Sequence, residues 1–291
     1  FIDGRRALIG GLADRMKGAS TVMLLSIALG RRFEIEWEHP EELGKIFNYS
    51  GYEWTFREDQ DVNLEVDLID RNFTSEIREK LRDGNLEDVL PSGEQRIKIF
   101  CNSVDVGIGK NEYFASEFSD SFKTLNRTKT VGSLLSMLEY RPGLEESMIL
   151  MVFLSRMDSY DRTIAVHFRT GGDGGWRDPE MDEVENVEKL IQRAREISLV
   201  NEGRVGIYFA CDSENLKKRV LEKYSSDLEI FSSNIPLAHI DRSDDKGAVM
   251  GSRFAMMENF MISMCDEILT GKGAFAELSA NRVFVEPWRY F

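Results

Sequence analysis

Cysteine and histidine are scarce: only three of each occur in 291 residues. Cys101, Cys211 and Cys265 are far apart and odd in number. That excludes a disulfide framework and a zinc knuckle. They read as buried thiols, and no His/Cys group has metal-ligand spacing. Basic residues are outnumbered, with 37 Lys and Arg against 51 Asp and Glu and a net charge of -14. A nucleic-acid-binding surface needs a basic face, so that class is set aside. A small anion remains a fitting ligand wherever a few arginines converge. No run reaches the ~18 apolar residues of a membrane span. The longest, MILMVFL from Met148 to Leu154, is too short. Several signatures do not occur: the GxGxxG and GxxxxGK[ST] phosphate loops and the GxSxG elbow. The EDQD at Glu58–Asp61 has the letters of a metal-binding Asp-x-Asp but no hydrophobic strand before it.

The chain opens at Phe1 rather than methionine. A leader or anchor upstream stays open, although none lies within these residues. Three glycosylation sequons, at Asn48, Asn72 and Asn126, are near chance frequency. The cysteine pattern points to a reducing, cytoplasmic compartment; the sequons point to the Golgi lumen as the alternative.

Against these absences stands a strong α/β rhythm. Length allows one large or two ordinary domains, and 42% hydrophobic residues suffice for a core. A short strand at Ala7–Ile9 leads into GGLADRMKG and an apolar helix from about Ala13 to Leu29. RRFEIEW then alternates as a second strand. Strands follow at VNLEVDLI and RIKIFCN, then helices at VGSLLSMLEY and GLEESMILMVFLSRM, broken by Pro142. The second half is clearer. It reads as strand RTIAVHF, a glycine-rich charged turn, a helix over about Pro179–Leu199, strand RVGIYFAC, helix ENLKKRVLEKY, and strand LEIF. A helix near Gly247–Cys265, strand EILTG, helix AFAELSANR and strand RVFVE complete it. Alternation in both halves predicts two doubly wound Rossmann-like domains, 1–157 and 158–291, joined by the helical stretch Leu134–Met157. Ligands of such sheets sit at the carboxyl ends of strands.

Four segments carry candidate chemistry. In GGLADRMKG, Gly10, Gly11 and Leu12 open a helix whose free amides and dipole attract an anion, with Arg15 in the first turn. The same letters also fit an ordinary tight turn. In VHFRTGGDGGWRD, Arg169 emerges past a strand, where a guanidinium grips phosphate. Asp173 follows as a base or sugar ligand, and Asp178 is a second candidate base. His167 shares the strand with apolar residues and fits a satisfied core histidine as readily as a ligand. In FACDSENL, Asp212 and Ser213 end a strand; Ser213 also reads as a plain N-cap. In the last segment Arg253 is a charge in a largely apolar helix. There TGKGAF offers Thr270 and the amides around Gly273, Ala274 and Phe275 to an anion. The methionines at 250, 256, 257, 261 and 264 read as core filling.

In this order the four segments resemble one superfamily: the bacterial nodulation and core α-1,6-fucosyltransferases with the protein O-fucosyltransferases. GGLADR is similar to that group's N-terminal glycine turn. HFRTGGD is similar to its His-x-Arg motif with a following acid, and ACDS to its Ala-Thr-Asp strand end. CDEILTGKGAF is similar to its final Asp and Ser-x-Phe turn. The spacing agrees over most of the chain, and the His-x-Arg strand is the most specific element. Three positions depart: Gly273 stands for the Ser of Ser-x-Phe, Cys211 for the Thr of Ala-Thr-Asp, and Thr170 for a second basic residue. They bear on the donor more than on the fold.

The resemblance implies a GT-B fold, with an N-terminal acceptor-side domain and a C-terminal nucleotide-sugar-binding domain facing a central cleft. It implies a GDP-fucose donor, a glycan acceptor, inversion at the anomeric carbon and no metal or other cofactor. It further implies that Arg169 binds the pyrophosphate, His167 contacts the donor, Asp212 holds the guanosine side and the turn ending at Phe275 binds phosphate. Three alternatives stay open: another nucleotide sugar, a non-catalytic nucleotide- or carbohydrate-binding module, and a structural α/β protein.

Overall fold

The computed structural model describes residues 11–37, 40–49, 54, 61–68, 79–81, 84, 88–91, 93, 96–102, 126–171, 186–233, 235, 245–283 and 288–289. The chain divides into two compact units, residues 1–38 with 42–139 and residues 39–41 with 140–291. The division falls after Glu139, so the helix over 144–157 counts with the second unit.

In the first unit, helix α1 (Leu12–Ala28) starts at Gly11, as the glycine turn predicts. Leu12, Met16, Leu24 and Leu25 are buried along it. Its approach to strand β3 (Ile97–Cys101) is close enough to demand glycine: a Cβ on Gly18 would lie 1.9 Å from the Cys101 carbonyl oxygen. Strand β2 (Leu64–Leu68) pairs with β3 in parallel, Leu64 opposite Ile97. Leu25, Ala28, Leu68, Leu81 and Leu90 close the core over them. A short helix α2 (Leu43–Ile46) leads into strand β1 (Phe47–Tyr49). The strand Ala7–Ile9 lies outside the described residues.

Two sequence expectations shift here. RRFEIEW forms no ladder strand: only Ile35 bridges, its N–H donating to the Trp54 carbonyl at 2.8 Å. Its alternation serves ion pairing instead. Glu34 meets Arg96 at 2.8 Å, and Glu36 pairs with Lys98. The helix expected over 131–140 begins earlier and stops sooner, as α3 (Arg127–Ser136). Asn126 caps it, accepting from the Lys129 N–H at 2.8 Å, and that cap fixes the start. Residues Leu138–Tyr140 become strand β4.

The second unit is built on a five-stranded sheet, order β7-β6-β5-β8-β9, with every pairing parallel. Its strands are β5 (Arg162–Phe168), β6 (Val205–Cys211), β7 (Ile230–Phe231), β8 (Glu267–Thr270) and β9 (Trp288–Arg289). The helices are α4 (Leu144–Met157), α5 (Val187–Val200), α6 (Glu214–Tyr224), α7 (Asp245–Ser263) and α8 (Phe275–Arg282). A sheet covered on both faces buries nearly every residue of its central strands, which is why IAVHF and VGIYFAC read as largely apolar. Ile164, Val166, Ile207 and Phe209 face Leu190, Ile191 and Val220. Ala165, Tyr208 and Ala210 face the other layer, with Phe153, Phe254, Met257 and Met261. Cys211 and Cys265 are free and buried, and burial pushes the Cys265 thiol up to about 12. The first turns expected for α5 and most of the expected last strand fall outside the described residues; β9 lies just beyond.

Candidate functional site

Parallel pairing brings three strand ends to one edge of the second sheet. His167 lies opposite both Ala210 and Thr270, and Phe168 opposite Cys211. The chain leaves that edge through Arg169, Asp212 and Gly271. Three of the four sequence segments converge there, as a doubly wound sheet requires of a ligand site.

Asp212 binds the neighbouring turn. Its Oδ1 accepts from the Thr170 N–H at 2.7 Å and the Thr170 hydroxyl at 3.0 Å, and its Oδ2 accepts from the Gly171 N–H at 2.7 Å. Bonds to an ionised acceptor are worth roughly 1.5–3 kcal/mol each. The end of β6 thereby fixes the backbone that carries Arg169. Ser213 next to it caps α6, its Oγ accepting from the Leu216 N–H at 3.0 Å, so the N-cap reading holds.

Arg169 lies along the Gly273 turn. A Cβ at Gly273 would sit 3.5 Å from Arg169 Cδ and 3.8 Å from Nη1. Gly273 has φ +96°, a left-handed conformation that glycine adopts without strain. Ala274 then opens α8 with no side-chain cap. A guanidinium therefore stands beside a helix N-terminus whose first amides lack a capping side chain, a pairing suited to a phosphate or diphosphate. The Asn259 side-chain amide donates to the Phe275 carbonyl at 2.9 Å and holds the first turn of that helix.

His167 is buried behind this turn, its ring stacked on Phe275 at a centroid distance of 5.3 Å. Its Nδ1 lies 3.5 Å from the fully buried Thr270 hydroxyl. Burial lowers its pKa from 6.5 to about 4, aided by Arg169 and opposed by Asp212. The ring is neutral at pH 7 and can give or take one hydrogen bond without adding charge.

Sequence reasoning passed over one residue, Glu258. It stands on α7 with no exposed surface. Its Oε1 accepts from the Tyr208 and Ser233 hydroxyls, both at 3.3 Å, while Oε2 has no partner. Burial raises its pKa to about 7, against the pull of Lys217. Lys217, itself buried, donates to Glu214 at 2.7 Å and to the Ser233 and Ile235 carbonyls at 3.3 Å. The signal was available: Glu258 is a lone acid inside the apolar run FAMMENFMISM.

Arg253 is held by carboxylates, Nε to Glu41 at 2.7 Å and Nη1 to Glu146 at 3.4 Å. In the first unit Gly11 caps α1 with its backbone, and Leu12 is a core residue. Arg15 lies over the Trp37 ring at 5.3 Å. Gly10, Asp173 and Asp178 lie outside the described residues. Among the described residues no cluster of His, Cys, Asp or Glu is placed to hold a metal, and no helix is long and apolar enough to cross a membrane.

These elements define an α/β fold with a parallel sheet, and solved fucosyltransferase structures share that fold. Arabidopsis thaliana FUT1, a point mutant in complex with GDP, superposes with a TM-score of 0.70 over 97% of this chain and 69% of its own, at 12% identity. The NodZ α-1,6-fucosyltransferase soaked with GDP-fucose gives 0.54 over 93% of this chain and 89% of its own, at 12% identity. Fucosyltransferase NodZ from Bradyrhizobium gives 0.53 over 94% and 90%, at 14% identity. The fold of this chain is the fold of these fucosyltransferases. No protein-family model and no curated protein matches the sequence.

Proposed function

We propose that this chain is a glycosyltransferase that moves fucose from GDP-fucose to a glycan hydroxyl, with inversion and without a metal. The observation that carries the proposal is the meeting of Arg169 with the Gly273 turn and the uncapped start of α8, at the joined ends of β5, β6 and β8. Solved structures of the same fold carry GDP or GDP-fucose, which supports the donor class.

The chemistry follows from charge. As the sugar departs, negative charge grows on the β-phosphate of the leaving diphosphate. A fixed guanidinium and helix-end amides stabilise that charge where it develops. Arg169 supplies the first and the turn through Gly273 to Phe275 the second. The acceptor hydroxyl gives its proton to a carboxylate as its oxygen attacks the anomeric carbon from the face opposite the phosphate. Asp173 is assigned that role, with Asp178 as the second choice.

The test uses two variants and one donor. Arg169→Ala is expected to keep the fold and lose both GDP affinity and transfer. Asp173→Asn is expected to keep GDP affinity and lose transfer. A folded Arg169→Ala variant with full activity overturns the diphosphate assignment; lost GDP affinity in Asp173→Asn makes Asp173 a binding residue. Transfer unchanged by a chelator supports metal independence. A thermal-shift panel decides the donor: stabilisation by GDP above UDP and CMP supports the reading, and the reverse order refutes it.

A further inference from the structure

Helix α4 has two apolar faces, and among the described residues only one packs into a core. Leu150 and Phe153 point into the second unit's core. Leu144, Met148, Met151 and Val152 point outward and are 82%, 62%, 70% and 73% exposed. Their spacing of four, three and one residues places them in one continuous stripe on the helix. No buried use explains four large apolar side chains in a row, and the stripe holds no charge.

We infer that this stripe is the contact through which two copies of the chain pair, α4 against α4, antiparallel about a two-fold axis. Three observations fix the occupant. First, the stripe is self-complementary: an antiparallel pair centred near Leu150 sets Met148 of one copy against Val152 of the other, and Met151 against Met148. Second, the flanking charges match in that direction. Exposed Glu145 sits at one end of α4 and exposed Arg156, whose guanidinium lies over its own Phe231 ring at 5.4 Å, at the other, so antiparallel packing brings each glutamate near the arginine of the opposite copy. A parallel pair would set glutamate on glutamate. Third, the area suffices. The stripe presents on the order of 500 Å² of apolar side chain, the upper range of what a monomer leaves exposed. Two such faces bury about 1,000 Å², the lower limit of a specific contact. An anionic lipid surface is disfavoured by the net charge of -14 and by a stripe flanked by one lone arginine.

The inference is independent of the proposed activity, because α4 contributes nothing to the strand-end site. Sedimentation of the chain between 1 and 100 µM tests it. The wild type is expected to shift from monomer to dimer across that range. Met148→Glu with Met151→Glu is expected to remain monomeric while its melting temperature and GDP response stay within error of wild type. Glu145→Arg is expected to weaken pairing at least tenfold, and Glu145→Arg combined with Arg156→Glu to restore it. A wild type monomeric throughout overturns the inference, as does a dimer untouched by the double glutamate variant. Binding of the wild type, but not that variant, to neutral phosphatidylcholine vesicles assigns the stripe to a membrane instead and overturns it too.

Discussion

The Asp212 carboxylate, at the end of one strand, holds the Thr170 backbone N–H at 2.7 Å and its hydroxyl at 3.0 Å at the end of the next strand. The acid thus acts on the candidate site through the turn that carries Arg169. The Asp212 carboxylate accepts three hydrogen bonds from that turn, the arrangement expected of a positioning residue.

Asp212→Asn keeps one acceptor oxygen and turns the other into a donor facing the Gly171 N–H. The turn should loosen, and GDP affinity should fall by about tenfold to a hundredfold for a loss of roughly 1.5–3 kcal/mol. Calorimetric titration of GDP measures it, with circular dichroism to show that the sheet remains. Unchanged affinity would deny the positioning role.

Gly273→Ala places a methyl group against Arg169 and forces an L side chain to φ +96°. A cost on the order of 1–2 kcal/mol in stability is expected. The methyl group itself meets Arg169 at ordinary contact distance, so donor binding should weaken only as far as the strained turn shifts. Urea unfolding and GDP titration of the same preparation separate the two effects.

His167 titrates near 4 in the fold and near 6.5 in the unfolded chain. Between those values the unfolded state binds more protons, so acidification from pH 6.5 to pH 4 removes stability and none is lost above that window. His167→Phe keeps a stacking ring and removes the titration. Its stability curve should be flatter than wild type over this window by about 3 kcal/mol. Denaturant midpoints at pH 4.5 and pH 7.5 supply the comparison.

Glu258 runs the other way. Its pKa is about 7 in the fold against 4.5 otherwise, so the native state holds the extra proton and stability falls as pH rises from about 4.5 to about 7. Glu258→Gln should gain stability relative to wild type at pH 8 and show little gain at pH 5. Denaturant midpoints of both proteins at pH 5 and pH 8 check it, and an equal gain at the two pH values would deny the buried acid its titration.

Much of this site was legible in the linear order of residues. HFRTGG, ACDS and TGKGAF each end an apolar run, and parallel strands must deliver such ends to a common edge. His167 as a buried residue, Ser213 as a cap and Gly273 at a turn were all readable, because each depends on near neighbours. Arg253 was legible only as an anomaly. That it meets Glu41 and Glu146, far away in sequence, is a matter of packing. The ion-paired segment Glu34–Glu36 misled for the same reason: alternation marks a two-faced segment without saying whether a ladder or a row of cations answers it.

The sequence by itself determined the α/β rhythm, the strand ends and the residue types gathered there, since periodicity and turn chemistry are local. Only the tertiary structure decided that Asp212 binds a neighbouring turn, that Glu258 is buried with one oxygen unmet, and that Arg169 lies on Gly273. Each of these is set by strand register and helix packing, which bring together residues as distant in sequence as Thr170 and Asp212, Tyr208 and Glu258, and Arg169 and Gly273.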